Sequence, residues 1–281
     1  VLQRALRNIK ESTGEEIDLL ALPTTDTKAY EILAKGHTVG IFQFESSGMQ
    51  DAMRRVKPDR IEDLIALNAL YRPGPMQNIP QYGKVKNGEM EAEYPHPKIK
   101  PILEETYGIM VYQEQVMEIA KVLAGYTLGG ADLLRRAMGK KVQAEMDAQR
   151  ERFVSGAKEH SGLSDDQANH IFDLMARFAD YGFNKSHSAA YALMAYQTAY
   201  LKANYTVEFM SALMTLDQDD TDKISMYVQD LQRMNVALLP PDINKSFPHF
   251  AKEGEAVRYS LAALKGVGAQ AMSDLVAERT K

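Results

Sequence analysis

At 281 residues the chain is long enough to bury a large core, and its 45% apolar and 25% charged residues exclude wholesale disorder. It has no cysteine, which excludes disulfides, thiolate metal sites and cysteine nucleophiles and fits a reducing cytoplasm. A net charge of −5 excludes a protein that coats nucleic acid over its whole surface, yet it leaves room for a local basic groove.

No apolar run approaches the roughly 18 residues of a membrane span, and no signal peptide is visible. Beginning at Val1 in mid-helix and stopping among charged residues at Lys281, the chain reads as a piece of something longer.

In chain order, a strand is expected at Ile17–Ala21, then helices at Ala29–Leu33 behind a Thr25/Asp26 cap and at Ile61–Leu70. Between them Phe42–Ser46 alternates apolar and polar before a helical Met49–Arg55, with Arg54, Arg55 and Lys57 at its end. Tyr71-Arg72-Pro73-Gly74-Pro75 predicts a rigid turn that fixes an arginine, and Tyr112–Gln115 opens a helix with polar side chains. A glycine-flanked helix follows Thr127, with Leu133, Leu134 and Ala137 toward the core and Gly139 as its stop. Long helices are expected over Val142–His160 and Ser188–Tyr205. Ser164 with Gln167 makes a capping box for a helix through Phe178. Shorter helices follow at Val207–Leu216 and Lys223–Met234, and strands at Val236–Leu239 and Val257–Leu261. The fold class is mainly α, with a boundary near Pro240–Glu255.

Two segments concentrate donors. Leu133–Lys141 reads LLRRAMGKK and carries Arg135, Arg136, Lys140 and Lys141; Gly182–Ala192 reads GFNKSHSAAYA, with Asn184, Lys185, Ser186, His187 and Ser188 in a row. Guanidinium groups grip phosphate oxygens in pairs and lysines add point charge. The same cations also fit a solvated basic helix end, so charge alone leaves both readings of the first segment open. It is no P-loop, because Gly139-Lys140 is followed by lysine. In the second segment no acidic residue occurs between Asp180 and Glu208, while Lys185, His187 and Lys202 do. Asn184 or Ser186 caps the following helix, and its N-terminus is a ready anion site. His37, His96, His160, His170 and His249 read as structural, and a Ser/His nucleophile lacks its elbow and acid. Asp165-Asp166 and Asp217, Asp219 and Asp220 do not assemble into a two-metal carboxylate set. Leu264-Lys265-Gly266-Val267-Gly268 before a helix is a hairpin that offers backbone N–H groups to a DNA phosphate.

The blocks GIFQFESSGMQ (Gly40–Gln50), ALYRPGP (Ala69–Pro75), YGIMVYQEQVM (Tyr107–Met117), GYTLGGADLLRRAMGKK (Gly125–Lys141), YGFNKSHSAAYA (Tyr181–Ala192), LPPDIN (Leu239–Asn244) and LKGVG (Leu264–Gly268) occur in one order. In these the chain resembles the alpha subunits of bacterial DNA polymerase III, the C-family replicative polymerases.

The resemblance implies a multi-helix fingers domain over residues 1–255, with 1–20 leading in from the palm, and the start of a helix-hairpin-helix region over 256–281. It implies a DNA-directed DNA polymerase as the activity of the full-length subunit. Arg135, Arg136, Lys140, Asn184, Lys185, Ser186 and His187 would hold the incoming dNTP. Gln43, Glu45, Ser46 and Arg72 would lie near the primer end and nucleotide, and Lys265, Gly266 and Gly268 would meet the DNA backbone. Mg²⁺ would be bound by palm aspartates outside this chain, leaving no catalytic residue and no metal ligand within it. Implied partners are the dNTP, primer-template DNA, the subunit's other domains and, through regions elsewhere, a sliding clamp and a proofreading subunit; no membrane is involved. The expected location is the cytoplasm, at the nucleoid-associated replisome. The competing readings are a stand-alone nucleotide-binding helical module and a helical domain that docks a protein partner.

Overall fold

The computed structural model describes residues 1–140, 142–179 and 181–279. Its helices are α1 (Leu2–Thr13), α2 (Thr27–Ala34), α3 (Ser47–Val56), α4 (Ile61–Leu70), α5 (Ile79–Lys86), α6 (Lys100–Leu103) and α7 (Gln113–Ala124). They continue with α8 (Leu128–Lys140), α9 (Gln143–Ser161), α10 (Asp165–Ala179), α11 (Lys185–Asn204), α12 (Thr206–Leu216), α13 (Thr221–Arg233) and α14 (Ala269–Arg279). Three short strands, β1 (Leu238–Leu239), β2 (Ala251–Glu253) and β3 (Ala256–Arg258), form a sheet in the order β1-β3-β2. β1 runs parallel and β2 antiparallel to β3. The fold is therefore mainly α, as the periodicity predicts.

The chain divides into two compact units. One comprises Val1–Leu33, His37–Ser46 and Met194–Lys281; the other comprises Ala34–Gly36 and Ser47–Leu193. In the first unit α1, α12, α13 and the small sheet enclose Ile9, Phe209, Met210, Leu231, Phe250 and Val257. In the second, α7 to α10 enclose Ile119, Leu123, Leu134, Phe153, Phe172 and Met175. Burying an aliphatic or aromatic side chain of this kind stabilises by about 1.5–3 kcal/mol, so each unit has a core of its own.

Local chemistry sets several boundaries. The Ser164–Gln167 capping box forms as expected: Ser164 N–H donates to Gln167 Oε1 at 3.0 Å and Gln167 N–H to Ser164 Oγ at 3.2 Å. Asp26 Oδ1 accepts from Ala29 N–H at 2.7 Å and caps α2. The strand expected at Ile17–Ala21 is instead a 3₁₀ turn over Leu19–Ala21, because Asp18 Oδ1 accepts from Leu20 N–H at 2.9 Å and winds the chain. β2 had no signal in Ala-Lys-Glu, a low-propensity strand that forms only by pairing with β3.

α8 departs from expectation twice. Gly139 does not stop it; the helix continues to Lys140, and Lys141 lies outside the described residues. Leu133 is exposed, because Ala131, Leu134 and Met138, at i, i+3 and i+7, form the row that faces the core. The glycine pair lies inside its first turn, where Thr127 Oγ1 accepts from Gly130 N–H at 3.2 Å.

Candidate nucleotide-binding site

In the second unit, α7 is the element around which both donor-rich segments are organised. Its start is held by Gln115, whose Oε1 accepts from the N–H groups of Val111 and Tyr112 at 2.8 and 2.9 Å, while its Nε2 donates to Thr106 Oγ1 at 2.8 Å. The extended residues just before α7 pair in parallel with Phe183. Phe183 N–H donates to the Val111 carbonyl at 3.3 Å and Gln113 N–H to the Phe183 carbonyl at 2.9 Å. This pairing sets GFNK beside the first turn of α7.

Gln113 and Glu114 then reach in two directions. Gln113 Nε2 donates to the Gly182 carbonyl at 2.9 Å, and its Oε1 lies 3.4 Å from Arg135 Nη1. Glu114 accepts from Asn184 Nδ2 at 3.0 Å and, through both oxygens, from Lys185 N–H at 3.2 and 3.1 Å. Asn184 Oδ1 accepts from His187 N–H at 2.8 Å, so Asn184 is the N-cap and α11 begins at Lys185, three residues earlier than its periodicity predicts. This changes one reading of the second segment. Glu114 already fills the anion position at the helix N-terminus, so the groups left for an external phosphate are side chains.

Those cations have internal partners. Arg135 donates to Asp132 Oδ1 from Nε and Nη2 at 3.1 and 2.8 Å, and Arg136 Nε lies 2.8 Å from Asp132 Oδ2. Hydrogen bonds from Arg135, opposed by burial and aided by the charges of Arg135 and Arg136, hold the Asp132 carboxyl below its ordinary range. Lys185 Nζ lies 2.5 Å from Glu105 Oε2 and 5.4 Å from the centre of the Tyr112 ring. A cleft of about 520 Å³ beside it is lined by Glu105, Tyr112, Glu114, Glu118, Lys98 and Lys185, while Arg135 and Arg136 do not line it. Lys140 and Ser186 are exposed at the end of α8 and on the first turn of α11. The exposed His187 ring packs against Tyr191 at 4.5 Å and Phe183 at 5.5 Å.

Arg72 belongs to the same neighbourhood. Its guanidinium stacks on Phe183 at 4.5 Å and donates to the carbonyls of Ala69 and Tyr181 at 2.8 and 2.6 Å, so the turn holds its arginine as predicted. Gly74, with φ of +96°, allows this turn, and any β-carbon there would run into the Tyr181 ring.

The remaining expected residues belong to the other unit. Gln43, Glu45 and Ser46 are exposed on a loop pinned by buried Phe44 and Ile41, with Gln43 in the left-handed region at φ +64°. Glu45 Oε2 accepts from Gly40 N–H at 3.2 Å. Lys202, counted among the donors by sequence, is no anion ligand. It is buried against Asp230 at 2.7 Å and donates to the carbonyls of His37 and Val39 at 3.1 and 2.7 Å. Lys265, Gly266 and Gly268 are exposed on a tight turn before α14, where Val267 N–H donates to the Leu264 carbonyl at 3.1 Å and Gly266 has φ +84°.

Sequence reasoning missed Gln113, Glu114, Glu105 and Asp132. The i, i+3 and i, i+4 spacing of Asp132 to Arg135 and Arg136 was a legible signal. The roles of Gln113 and Glu114 depend on strand-like pairing across about seventy residues, which no local pattern encodes. Among the described residues no three His, Asp or Glu side chains gather to hold a metal ion. None of the described helices is long and apolar enough to cross a membrane.

Residues 1–161 match the model of the bacterial DNA polymerase III alpha subunit finger domain, and residues 235–281 match a helix-hairpin-helix motif. The chain is similar along its whole length to DNA polymerase III subunit alpha of Thermus aquaticus, at 51% identity, and of Caulobacter vibrioides, at 52%. It spans 23% and 24% of those two proteins. The chain belongs to the family of bacterial DNA polymerase III alpha subunit finger domains.

Proposed function

We propose that this chain is the fingers region of a replicative DNA-directed DNA polymerase, where residues 1–255 bind the triphosphate of the incoming dNTP and residues 256–281 help hold primer-template DNA. The observation that carries the reading is that both donor-rich segments meet at Gln113 and Glu114, the first turn of one helix. Arg135 and Lys185 are the principal phosphate ligands, with Arg136, Lys140, Ser186 and His187 on the exposed side of α8 and α11. Their charge neutralises the β- and γ-phosphates and eases the departure of pyrophosphate. Phe183, His187 and Tyr191 add flat apolar surface beside them. Gln43, Glu45, Ser46 and Arg72 are assigned to the vicinity of the primer end. The turn at Lys265, Gly266 and Gly268 offers exposed backbone N–H groups to a DNA phosphate.

Carboxylates elsewhere in the longer protein would hold Mg²⁺, which would supply the activation of the primer hydroxyl. The same longer protein meets the sliding clamp and proofreading subunit, and it works in the cytoplasm.

The test is steady-state incorporation by the full-length subunit carrying Arg135→Ala or Lys185→Ala. Each substitution raises the nucleotide KM or cuts the rate severely; near-normal incorporation by both overturns the assignment. The purified 281-residue chain, given primer-template, dNTP and Mg²⁺, does not extend the primer.

A further inference from the structure

We propose that Glu105 is a counter-carboxylate that competes with nucleotide phosphates for Lys185 and so sets how tightly the site holds its triphosphate. This rests on Lys185 being a phosphate ligand.

The Lys185–Glu105 pair is built from anchored ends. Glu105 projects from the 3₁₀ turn Glu104–Thr106. That turn is fixed by the buried Thr106 hydroxyl donating to the Ile109 carbonyl at 2.6 Å and by Arg60 Nη2 donating to the Glu105 carbonyl at 2.9 Å. Lys185 is fixed at its backbone by Glu114, and the Tyr112 ring faces its ammonium. Two exposed side chains on mobile stems lose entropy when they pair; these two are already positioned, which favours the contact at 2.5 Å. The cleft beside them carries Glu105, Glu114 and Glu118 against Lys98 and Lys185. A phosphate that engages the Lys185 ammonium therefore meets the Glu105 charge at close range. It must push that carboxylate aside or bear its repulsion.

Glu105 thus subtracts affinity from every ligand that uses Lys185 and leaves unaffected those that do not reach it. Lys185 and Glu105 retain 38% and 33% of their side-chain exposure, so water screens the pair and the effect is moderate.

The experiment measures single-nucleotide incorporation by the full-length subunit as wild type, Glu105→Gln, Lys185→Ala and the double variant. The carboxylate faces the cleft, and the amide keeps its shape while losing its charge. Glu105→Gln is expected to lower the nucleotide KM by about two- to fivefold with kcat unchanged, and to have no effect in the Lys185→Ala background. The gain shrinks as ionic strength rises. A KM that stays constant or rises in Glu105→Gln, while Lys185→Ala is impaired, overturns the inference, because Glu105 would then position Lys185 or do nothing. Wild-type kinetics in Lys185→Ala would overturn the reading of Lys185 as a phosphate ligand, and this inference with it. Equal melting temperatures of wild type and Glu105→Gln establish that the comparison is between folded proteins.

Discussion

Both carboxylate oxygens of Glu114 accept from the backbone N–H of Lys185, at 3.2 and 3.1 Å. An internal anion thus occupies the positive end of α11 and ties it to the first turn of α7. Glu114→Ala removes a charge-assisted cap and is expected to cost about 1 kcal/mol, felt as fraying of the first turn of α11. Amide hydrogen exchange at residues 185–188 should accelerate several-fold while exchange in the middle of α11 stays unchanged.

Gln113 is the link between the two donor-rich segments, since one side-chain amide meets the Gly182 carbonyl and the Arg135 guanidinium. Gln113→Ala leaves Arg135 paired with Asp132 alone. The nucleotide KM of the full-length subunit should rise by about three- to tenfold, the equivalent of one lost hydrogen bond. Circular dichroism should show the same helix content, because Gln115 and not Gln113 caps α7.

The Lys202–Asp230 pair, with both side chains essentially inaccessible, predicts a large stability effect unrelated to nucleotide binding. Burial lowers the lysine's pKa, and Asp230 works against that shift. Lys202→Met breaks the ion pair of the buried Asp230 carboxylate, which keeps its contact with Arg233, and removes the lysine's hydrogen bonds to the carbonyls of His37 and Val39. Urea unfolding should show a loss of about 3 kcal/mol, within the range for breaking a buried pair from one side.

His249 predicts a pH dependence. Burial first, and then the positive charge of Arg4, push its imidazole below the ordinary range; the weaker pull of Glu11 opposes them. The unfolded chain therefore binds this proton more readily than the folded one. Stability from this group is complete above about pH 6.5 and declines as pH falls below that value, until the folded imidazole itself protonates. His249→Phe, which keeps the stacking on Phe247, should give a shallower decline in urea midpoint between pH 7.5 and 5 than wild type. Parallel slopes in the two proteins would contradict this assignment.

The local record in the sequence was rich wherever a side chain acts on its own neighbourhood. The Ser164–Gln167 box, the Ile61–Leu70 helix and the Arg72 turn follow from periodicity, caps and glycine placement within a few residues. Boundaries failed where a cap was not recognised, as at Asp18, where a glycine was read as a stop, and at α11, whose start was placed at Ser188 although Asn184 was one of its two candidate caps.

The site divides along the same line. Composition and spacing alone determined that Arg135, Arg136, Lys140, Lys185 and His187 are unusual donors and that the fold is mainly helical. Apart from Asp132, which is local to Arg135 and Arg136 on α8, only the tertiary structure decided their partners. Pairing between Tyr112 and Phe183 brings Gln113 and Glu114 to residues about seventy positions away, and it gives the α11 N-terminus a carboxylate of its own. Packing likewise buried Lys202, which sequence counted among the donors, and set Glu105 against Lys185. The physical reason is range. Caps and helical periodicity act across one or two turns, whereas the charge a cation meets depends on which distant carboxylate the fold delivers to it.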